Sequence, residues 1–239
     1  MDATKKEILQ GIEVEANELA FFGKIAAGVT HELKNVLAVI KESNGLMADL
    51  LAMLKETPFI YREKFQRSIG RIEEQVRRGT EITSRFNGFA HSVDHPLASI
   101  DLNVIVAQTV LLAARFARLQ RVELKGAVCG RPVMLVINPF RVQMALTRAI
   151  EVFTECMSGG GSILLQVREE LDPPGLDFYF DGEFGEKVVM EAVAEFSEWR
   201  EFEKLASMQD MHYEWFVPGG GFSLFFAGTL SPKQTTSSK

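Results

Sequence analysis

The chain has 239 residues, of which 46% are apolar and 24% are charged. This composition suits a globular protein with a sizeable core, arranged as one large domain or two small ones. A formal net charge of −6 argues against the basic footprint that direct binding to nucleic acid requires. Cys129 and Cys156 are too far apart for a close zinc or redox pair and too few for a disulfide framework, which favours a reducing, cytoplasmic compartment.

The N-terminal stretch mixes charged and apolar residues at helical spacing, so it lacks the unbroken apolar run of a signal peptide. By the same inspection, no other stretch approaches the roughly 18 apolar residues that a membrane helix needs. We therefore expect a soluble protein without a membrane partner.

Helical periodicity extends from residue 5 to about residue 56, where Pro58 ends one helix and can begin the next. A second periodic segment continues to about Ala90, so residues 1–95 are predicted to form a helical hairpin. The first helix has an apolar seam with steps of three and four residues, made of Val29, Leu33, Val36, Ile40, Met47, Leu51 and Leu54. One hairpin covers only half of this seam, which predicts a homodimer whose two hairpins form a four-helix bundle.

Pro96 and the small polar residues around it indicate a linker, and residues 96–230 are predicted to form a second domain. Residues 231–239 are polar and are expected to be disordered. The pattern predicts helices at about 102–119, from Pro139 to Met157 and at about 187–208. It predicts a strand pair at 121–128 and 131–137, a glycine turn at 159–161, and strands at 162–170, 176–182 and 221–230. This mixture indicates an α+β fold, an α/β sandwich with helices on one face of a sheet.

His31 lies about 190° around the first helix from the centre of the seam, taking 100° per residue, and should therefore face water. Lys24 and Asn35 share this outer face. Ala27 and Ala38 flank it with small side chains that would leave the imidazole open to a partner. An exposed histidine on a helix usually has no function, so only the surrounding sequence can indicate whether His31 is functional.

The segment "GKIAAGVTHELKNVLAVI" resembles the phosphoacceptor helix of two-component sensor histidine kinases. In that family a His-Glu-x-Lys/Arg-Asn/Thr motif follows a run of small residues, and His31, Glu32, Lys34 and Asn35 match it. The later segment "SIDLNVIVAQTV" is similar to the start of the family's ATP-binding domain. The resemblance covers roughly residues 20–230, is specific around His31 and is loose after Leu119.

The resemblance implies that His31 carries a phosphoryl group, since a neutral imidazole nitrogen can attack phosphorus. It also implies that Glu32 orients or deprotonates the ring, although an ordinary surface carboxylate explains Glu32 equally well. Asn35 would position a water for dephosphorylating a partner, or would simply be a polar residue on a solvated face. Partner docking near the phosphoacceptor is assigned to Lys24, Ala27, Lys34 and Ala38.

Active members of the family bind ATP with an asparagine-bearing helix that helps hold magnesium and an Asp-x-Gly-x-Gly loop that contacts adenine. The segment "NPFRVQMALTRAIEVFTECM" is similar to that helix, but its two asparagine positions hold Arg148 and Val152. Asp181 and Gly185 align with parts of the loop, and Glu183 replaces its other glycine. A strand ending in an Asp-Gly turn is the favoured explanation of this segment.

These substitutions predict a degenerate ATP-binding domain with no bound cofactor or metal, the Mg²⁺ being held by a partner receiver domain. Histidine phosphotransferases built on the kinase core are the nearest match, so we predict that His31 passes phosphoryl groups between the aspartates of response-regulator receiver domains. Two alternatives remain open. One is an active sensor kinase with a diverged ATP site, and the other is a non-catalytic dimeric scaffold that binds response regulators.

Overall fold

The computed structural model describes residues 3–52, 61–94, 96–157, 159–168, 173–182, 193–216 and 221–227. Helices α1 (Ala3–Ala52) and α2 (Arg62–Ala90) form the N-terminal hairpin. Phe22 of α1 contacts Phe89 near the end of α2, and Glu32 contacts Arg78 further back, so the two helices run antiparallel. The predicted hairpin is present, whereas Leu54 and Pro58 lie outside the described residues.

The buried face of α1 differs from the predicted seam at its C-terminal end. Val29 and Val36 are buried as expected, with Leu33, Ile40 and Met47 half-buried. Leu51, however, is 55% exposed, while Leu50 is buried at 6%. Steps of seven residues return a side chain to nearly the same helix face, so the face that holds Val29 and Val36 continues to Leu50 rather than Leu51.

In its described residues the second domain has three further helices and two sheets, which confirms the α+β fold class. The helices are α3 (Leu102–Leu119), α4 (Pro139–Cys156) and α5 (Ser197–Met208). A short 3₁₀ helix at His91–Val93 connects the hairpin to this domain. The strands are β1 (Ala98–Asp101), β2 (Val122–Ala127), β3 (Met134–Ile137), β4 (Gly161–Val167), β5 (Gly175–Gly182), β6 (Met211–Phe216) and β7 (Gly221–Phe226).

As far as the structure describes it, the larger sheet has five strands in the order β2-β4-β5-β7-β6. Strands β2 and β4 are parallel, and the other neighbours are antiparallel. Strands β1 and β3 form a separate antiparallel pair. The predicted pairing of residues 121–128 with 131–137 is therefore wrong, because the two segments join different sheets.

Two strands were not predicted. Strand β1 lies in the segment assigned to the linker, where its four residues pair with β3 from Ala98 opposite Ile137 to Asp101 opposite Met134. Strand β6 pairs with β7. In its sequence "MHYEWF", the exposed His212 and Glu214 alternate with residues that are turned toward the core.

The helix predicted at 187–208 is described from Ser197 to Met208, and residues 187–192 lie outside the described residues.

Aromatic residues fill the core between the sheet and the helices. Phe153 of α4 has its ring 5.7 Å from Phe178 of β5, 5.8 Å from Trp199 of α5 and 5.5 Å from Phe222 of β7. These edge-on and tilted contacts fix α4 and α5 on one face of the sheet. The predicted placement of helices against a sheet face agrees with this packing.

Within the described part of the chain, α3 is the single helix that is long and apolar enough to cross a membrane by length and composition. The sequence inspection missed this property. Core helices of water-soluble proteins often share it, and α3 carries the buried polar residues Gln108 and Thr109. Oε1 of Gln108 accepts a hydrogen bond from the side chain of Gln143 on α4, as expected of a helix packed inside a domain.

A cluster of phenylalanines joins the hairpin to the second domain. The ring of Phe21 on α1 lies 5.8 Å from Phe89 on α2 and 5.6 Å from Phe140 on α4, and Phe89 lies 5.5 Å from Phe140. Phe21 and Phe89 are fully buried. This apolar joint sets the position of α1 relative to α3 and α4.

Candidate functional site

The ring of His31 is exposed near the middle of α1, in agreement with the helical-face argument. Asn35 lies one turn further along the same face, and its Nδ2 atom is 3.2 Å from Nδ1 of His31. Among the described residues no other side chain hydrogen-bonds the ring. The nitrogen Nε2 is therefore the ring atom left accessible to a partner.

Glu32, the next residue along α1, is held by two arginines. Its Oε2 accepts a hydrogen bond from Nη2 of Arg78 on α2 at 2.8 Å, and its Oε1 accepts one from Nη2 of Arg118 on α3 at 2.7 Å. The Glu32 side chain is only 14% exposed. Because both carboxylate oxygens serve these ion pairs, Glu32 joins three helices in this arrangement and makes no hydrogen bond to His31. Its role at the ring stays a prediction from the family resemblance.

A cleft of about 90 Å³ opens between the hairpin and α3, directly beside Glu32. Its charged lining consists of Glu32 and three arginines, Arg78, Arg115 and Arg118, and its remaining walls are mainly apolar. The arginines outnumber the carboxylate, so the cleft is electropositive and attracts acidic groups. The sequence inspection missed these arginines, although their crowding near the end of α3, in "AARFARL", was a visible signal.

The four residues assigned to partner docking have different surroundings. Ala27, Lys34 and Ala38 are exposed on α1. The ammonium of Lys24 lies 2.6 Å from Oε1 of Glu151 on α4 and 5.1 Å from the ring centre of Phe116 on α3. Lys24 is thus engaged by the second domain, and a docking role for all four residues stays a prediction.

The two positions of α4 that align with the family's asparagines hold residues with other partners. Nη1 of Arg148 donates to Oε2 of Glu151 at 2.9 Å, and Nε of Arg148 lies 2.7 Å from Oε2 of Glu201 on α5. Val152 is 1% exposed and belongs to the core. An arginine fixed by two carboxylates and a buried valine supply no amide oxygen for magnesium at these two positions.

The segment that resembles the Asp-x-Gly-x-Gly loop is only partly described. Asp181 and Gly182 are the last residues of β5 and pair with Ser162 and Gly161 of β4. The strand predicted here is present as β5 and ends at Gly182, and the turn predicted at its end involves residues from 183 onward. Glu183 and Gly185 lie outside the described residues. In the described part of the chain, no three His, Cys, Asp or Glu side chains are grouped as a metal site would require.

Hydrogen bonds that involve the side chains of Asp101 and Asn103, in the segment "DLN", stabilise the start of the second domain. Oδ1 of Asp101 accepts hydrogen bonds from the backbone N–H groups of Asn103 and Val133, each at 3.0 Å, which caps α3 and fixes β3. The Asn103 side chain accepts from the N–H of Cys129 at 2.8 Å and donates to the carbonyl of Arg131 at 3.0 Å. The segment thus places α3, and with it Arg115 and Arg118, beside the hairpin.

Two acidic residues near the junction of α4 and α5, Glu155 and Glu198, have pKa values that shift in opposite directions. Burial, together with the charges of Glu198 and Glu151, raises the pKa of Glu155 above its usual range. Hydrogen bonds from its own backbone N–H and from the Ser197 hydroxyl lower the pKa of Glu198. Glu155 therefore binds a proton more readily than Glu198 does.

No family model matches the chain. Curated relatives include the C4-dicarboxylate transport sensor protein DctS of Rhodobacter capsulatus, 25% identical over 142 residues, which are 59% of this chain and 21% of the relative. The C4-dicarboxylate transport sensor protein DctB of Rhizobium meliloti (strain 1021) is 27% identical over 168 residues, which are 69% of this chain and 26% of the relative. The chain thus spans about a quarter or less of the length of these relatives.

Similar solved structures include the Acinetobacter baumannii histidine kinase AdeS, with 9% identity, a TM-score of 0.45, and coverage of 82% of this chain and 96% of that chain. A bacterial phosphotransferase has 12% identity and a TM-score of 0.42, and the match covers 87% of this chain and 95% of that chain. The chain is therefore similar in sequence to sensor proteins. Its own architecture is a helical hairpin followed by an α/β domain.

Proposed function

We propose that this protein is a histidine phosphotransferase of two-component signalling. In this proposal His31 takes a phosphoryl group from the aspartyl phosphate of one receiver domain and gives it to the aspartate of another. The observation that carries the proposal is the pairing of an exposed imidazole on α1 with an α4 whose magnesium position is filled by an ion-paired arginine.

The transfer needs few groups from this chain. A lone pair of an imidazole nitrogen forms the N–P bond while the P–O bond of the aspartyl phosphate breaks, and its electron pair leaves with the carboxylate. Positioning and charge neutralisation supply most of the catalysis of such steps, and Mg²⁺ in the receiver would neutralise the phosphoryl oxygens. The small residues Ala27 and Ala38 leave room for the partner to approach His31.

The contacts between the hairpin and the second domain support a docking platform rather than a mobile kinase domain. A kinase has to bring bound ATP to its histidine, which requires the two units to move. Here Glu32 is paired with Arg118, Lys24 with Glu151, and Glu18 with Arg141 at 2.7 Å. Together with the phenylalanine cluster around Phe89, these ion pairs favour one fixed arrangement.

The hairpin also has an unpaired apolar face that supports a homodimer. Leu37 is 63% exposed and Val76 52% exposed, and both line an open groove between α1 and α2. Leu46 and Ile69 extend the exposed apolar surface along the two helices. We propose that the hairpin of a second copy covers this face in a four-helix bundle, in the cytoplasm, where receiver domains would be its partners.

The test offers the purified protein two sources of radiolabelled phosphoryl groups, a panel of phosphorylated receiver domains and ATP with Mg²⁺. We expect acid-labile label from at least one receiver, none from ATP, and no label on a His31→Gln variant. His91→Gln, which changes another exposed histidine near the end of the hairpin, is the matched control and should be labelled normally. Receivers that bind without labelling His31 would favour the scaffold alternative.

The second candidate is an active sensor kinase, which the sequence similarity to two sensor proteins favours. Calorimetric titration with ATP and Mg²⁺ separates the two candidates. Magnesium-dependent binding, followed by autophosphorylation that His31→Gln abolishes, would replace the phosphotransferase proposal with the kinase.

A further inference from the structure

The cleft beside Glu32 carries an excess of positive charge. Three arginines, Arg78, Arg115 and Arg118, line it together with this single carboxylate. Three guanidinium groups against one carboxylate leave two positive charges unmatched, in a protein whose formal net charge is −6. Such a local field attracts an acidic group and opposes the approach of a basic one.

Arg115 is the arginine of the cleft that has no acidic partner among the described residues. Arg78 and Arg118 each donate from Nη2 to one oxygen of Glu32. Arg115 is half-buried, and within the described part of the chain its guanidinium forms neither an ion pair nor a side-chain hydrogen bond. A guanidinium carries five N–H donors and stays charged, so an anion in the cleft would satisfy donors that this chain leaves open.

The size and lining of the cleft fit one short acidic side chain. Its volume is about 90 Å³. Pockets for nucleotides and similar ligands usually enclose about 300–1,000 Å³. The uncharged walls include Val29, Ile82, Leu111 and Leu112, against which methylene groups would pack. A free phosphate ion has no apolar part to place against these walls, so a carboxylate on a short aliphatic stem fits better.

The cleft lies next to the face of α1 that presents His31. Taking about 100° per residue, Gly28 lies about 60° around the helix from His31 and Glu32 about 100°, both on the same side, and both residues line the cleft. Along the helix axis they are within about 5 Å of His31. A protein interface of ordinary size covers about 800 Å² on each partner, so a protein that contacts the ring also reaches the cleft.

We propose that this cleft receives the carboxylate of an acidic side chain on the receiver domain that docks at His31, an inference that rests on the proposed phosphotransfer. Arg115 is the main contact of that carboxylate. Because Arg78 and Arg118 stay paired with Glu32, the incoming group reduces the charge excess without breaking the joint between the hairpin and α3. Receivers that bring a neutral or basic side chain to this position bind less tightly, so the cleft selects among receivers.

The first measurement is the affinity of unphosphorylated receiver domains for the full chain, determined by calorimetry. For the receivers that bind the wild type, Arg115→Gln should lower the affinity about tenfold, the effect of one charge-assisted hydrogen bond. Arg115→Lys keeps the charge and should lose less. Arg200→Gln, which removes an exposed arginine of α5 outside the cleft, is the matched control and should bind like the wild type. Circular dichroism checks that each variant is folded.

The second measurement locates the side chain on the receiver. Each acidic residue on the receiver surface is changed to its amide, and each change is tested against both the wild type and Arg115→Gln. We expect one receiver carboxylate whose loss lowers the affinity about tenfold in the wild type and has little further effect in Arg115→Gln, since residues in contact give non-additive effects.

Equal affinities of the wild type and Arg115→Gln, or additive effects for every acidic residue of the receiver, would overturn the proposal. Binding of inorganic phosphate at Arg115, seen by NMR at millimolar concentration and without coupling to any receiver carboxylate, would also overturn it and assign the cleft to a small anion.

The two proposals fail separately. A protein whose receivers bind with the expected dependence on Arg115, but whose His31 is phosphorylated only by phosphoramidate, a small chemical donor, would keep the cleft and lose the proposed function. Phosphoryl transfer from receivers that bind Arg115→Gln as tightly as the wild type would keep the function and remove the role of the cleft. Receivers that neither bind nor label the wild type would overturn both.

Discussion

Glu32 and Arg118 form a 2.7 Å ion pair that links the residue next to His31 to the last turn of α3. Arg78 binds the other oxygen of the same carboxylate. One side chain thus connects both helices of the hairpin with the second domain, and it does so immediately beside the exposed imidazole. The position of α3 and the surroundings of His31 are therefore coupled.

Glu32→Gln should destabilise the protein but leave phosphorylation of His31 by phosphoramidate almost unchanged. The variant removes the charge that pairs with two partly exposed arginines, which should lower the free energy of unfolding by about 1–2 kcal/mol. Urea unfolding measures this loss, with Glu42→Gln on the exposed face of α1 as the control. A folded Glu32→Gln protein that no longer reacts with phosphoramidate would mean that Glu32 acts on the ring after all.

Asp101→Ala should destabilise the second domain by about 1–3 kcal/mol, since it removes the cap of α3 and leaves the N–H of Val133 without its acceptor. Urea unfolding followed by circular dichroism is the measurement. Asp49→Ala, on the exposed surface of α1, should change stability much less. Equal effects of the two substitutions would contradict the bracing role of Asp101.

Gly161→Ala should be strongly destabilising. Gly161 has a φ of 145°, and an added Cβ would overlap the backbone oxygen of Asp181 on the paired strand. We expect a loss of about 1–3 kcal/mol in the free energy of unfolding, because both the backbone conformation and the β4–β5 ladder are affected.

Gly45→Ala is the matched control for this substitution. Gly45 lies in α1 with open space around its Cα, so alanine there should raise stability by about 0.5–1 kcal/mol. Thermal unfolding of the two variants should therefore move in opposite directions. A stable Gly161→Ala protein would show that the β4–β5 pairing is different from the one described.

Glu155→Gln should raise the melting temperature at neutral pH and have no such effect in acid. Burial and the nearby carboxylates raise the pKa of Glu155 in the folded state, so the folded protein binds this proton more tightly than the unfolded chain does. Stability due to this group is accordingly lost as the pH rises through its folded pKa. Scanning calorimetry at several pH values measures the difference, and a gain that persists in acid would rule out charge as its cause.

The periodic elements were predictable because their signals are local. The hairpin, α3, α4 and the strands β4, β5 and β7 follow from helical or alternating spacing, and the exposure of His31 follows from its angle on α1. The short strand β1 was missed because its stability comes from pairing with β3, more than 30 residues away in sequence. Similarly, Glu32 is 46 residues from Arg78 and 86 from Arg118, and no local spacing indicates such ion pairs.

The ion pairs of Arg148 also constrain how the sequence can change. A mutation of Arg148 to asparagine would remove this guanidinium from Glu201 and leave Glu151 paired with Lys24 alone. The two acidic side chains would then repel each other at the interface of α4 and α5. Arg148, Glu151 and Glu201 are therefore expected to change together rather than one at a time, because each single change leaves a charge at this interface without its partner.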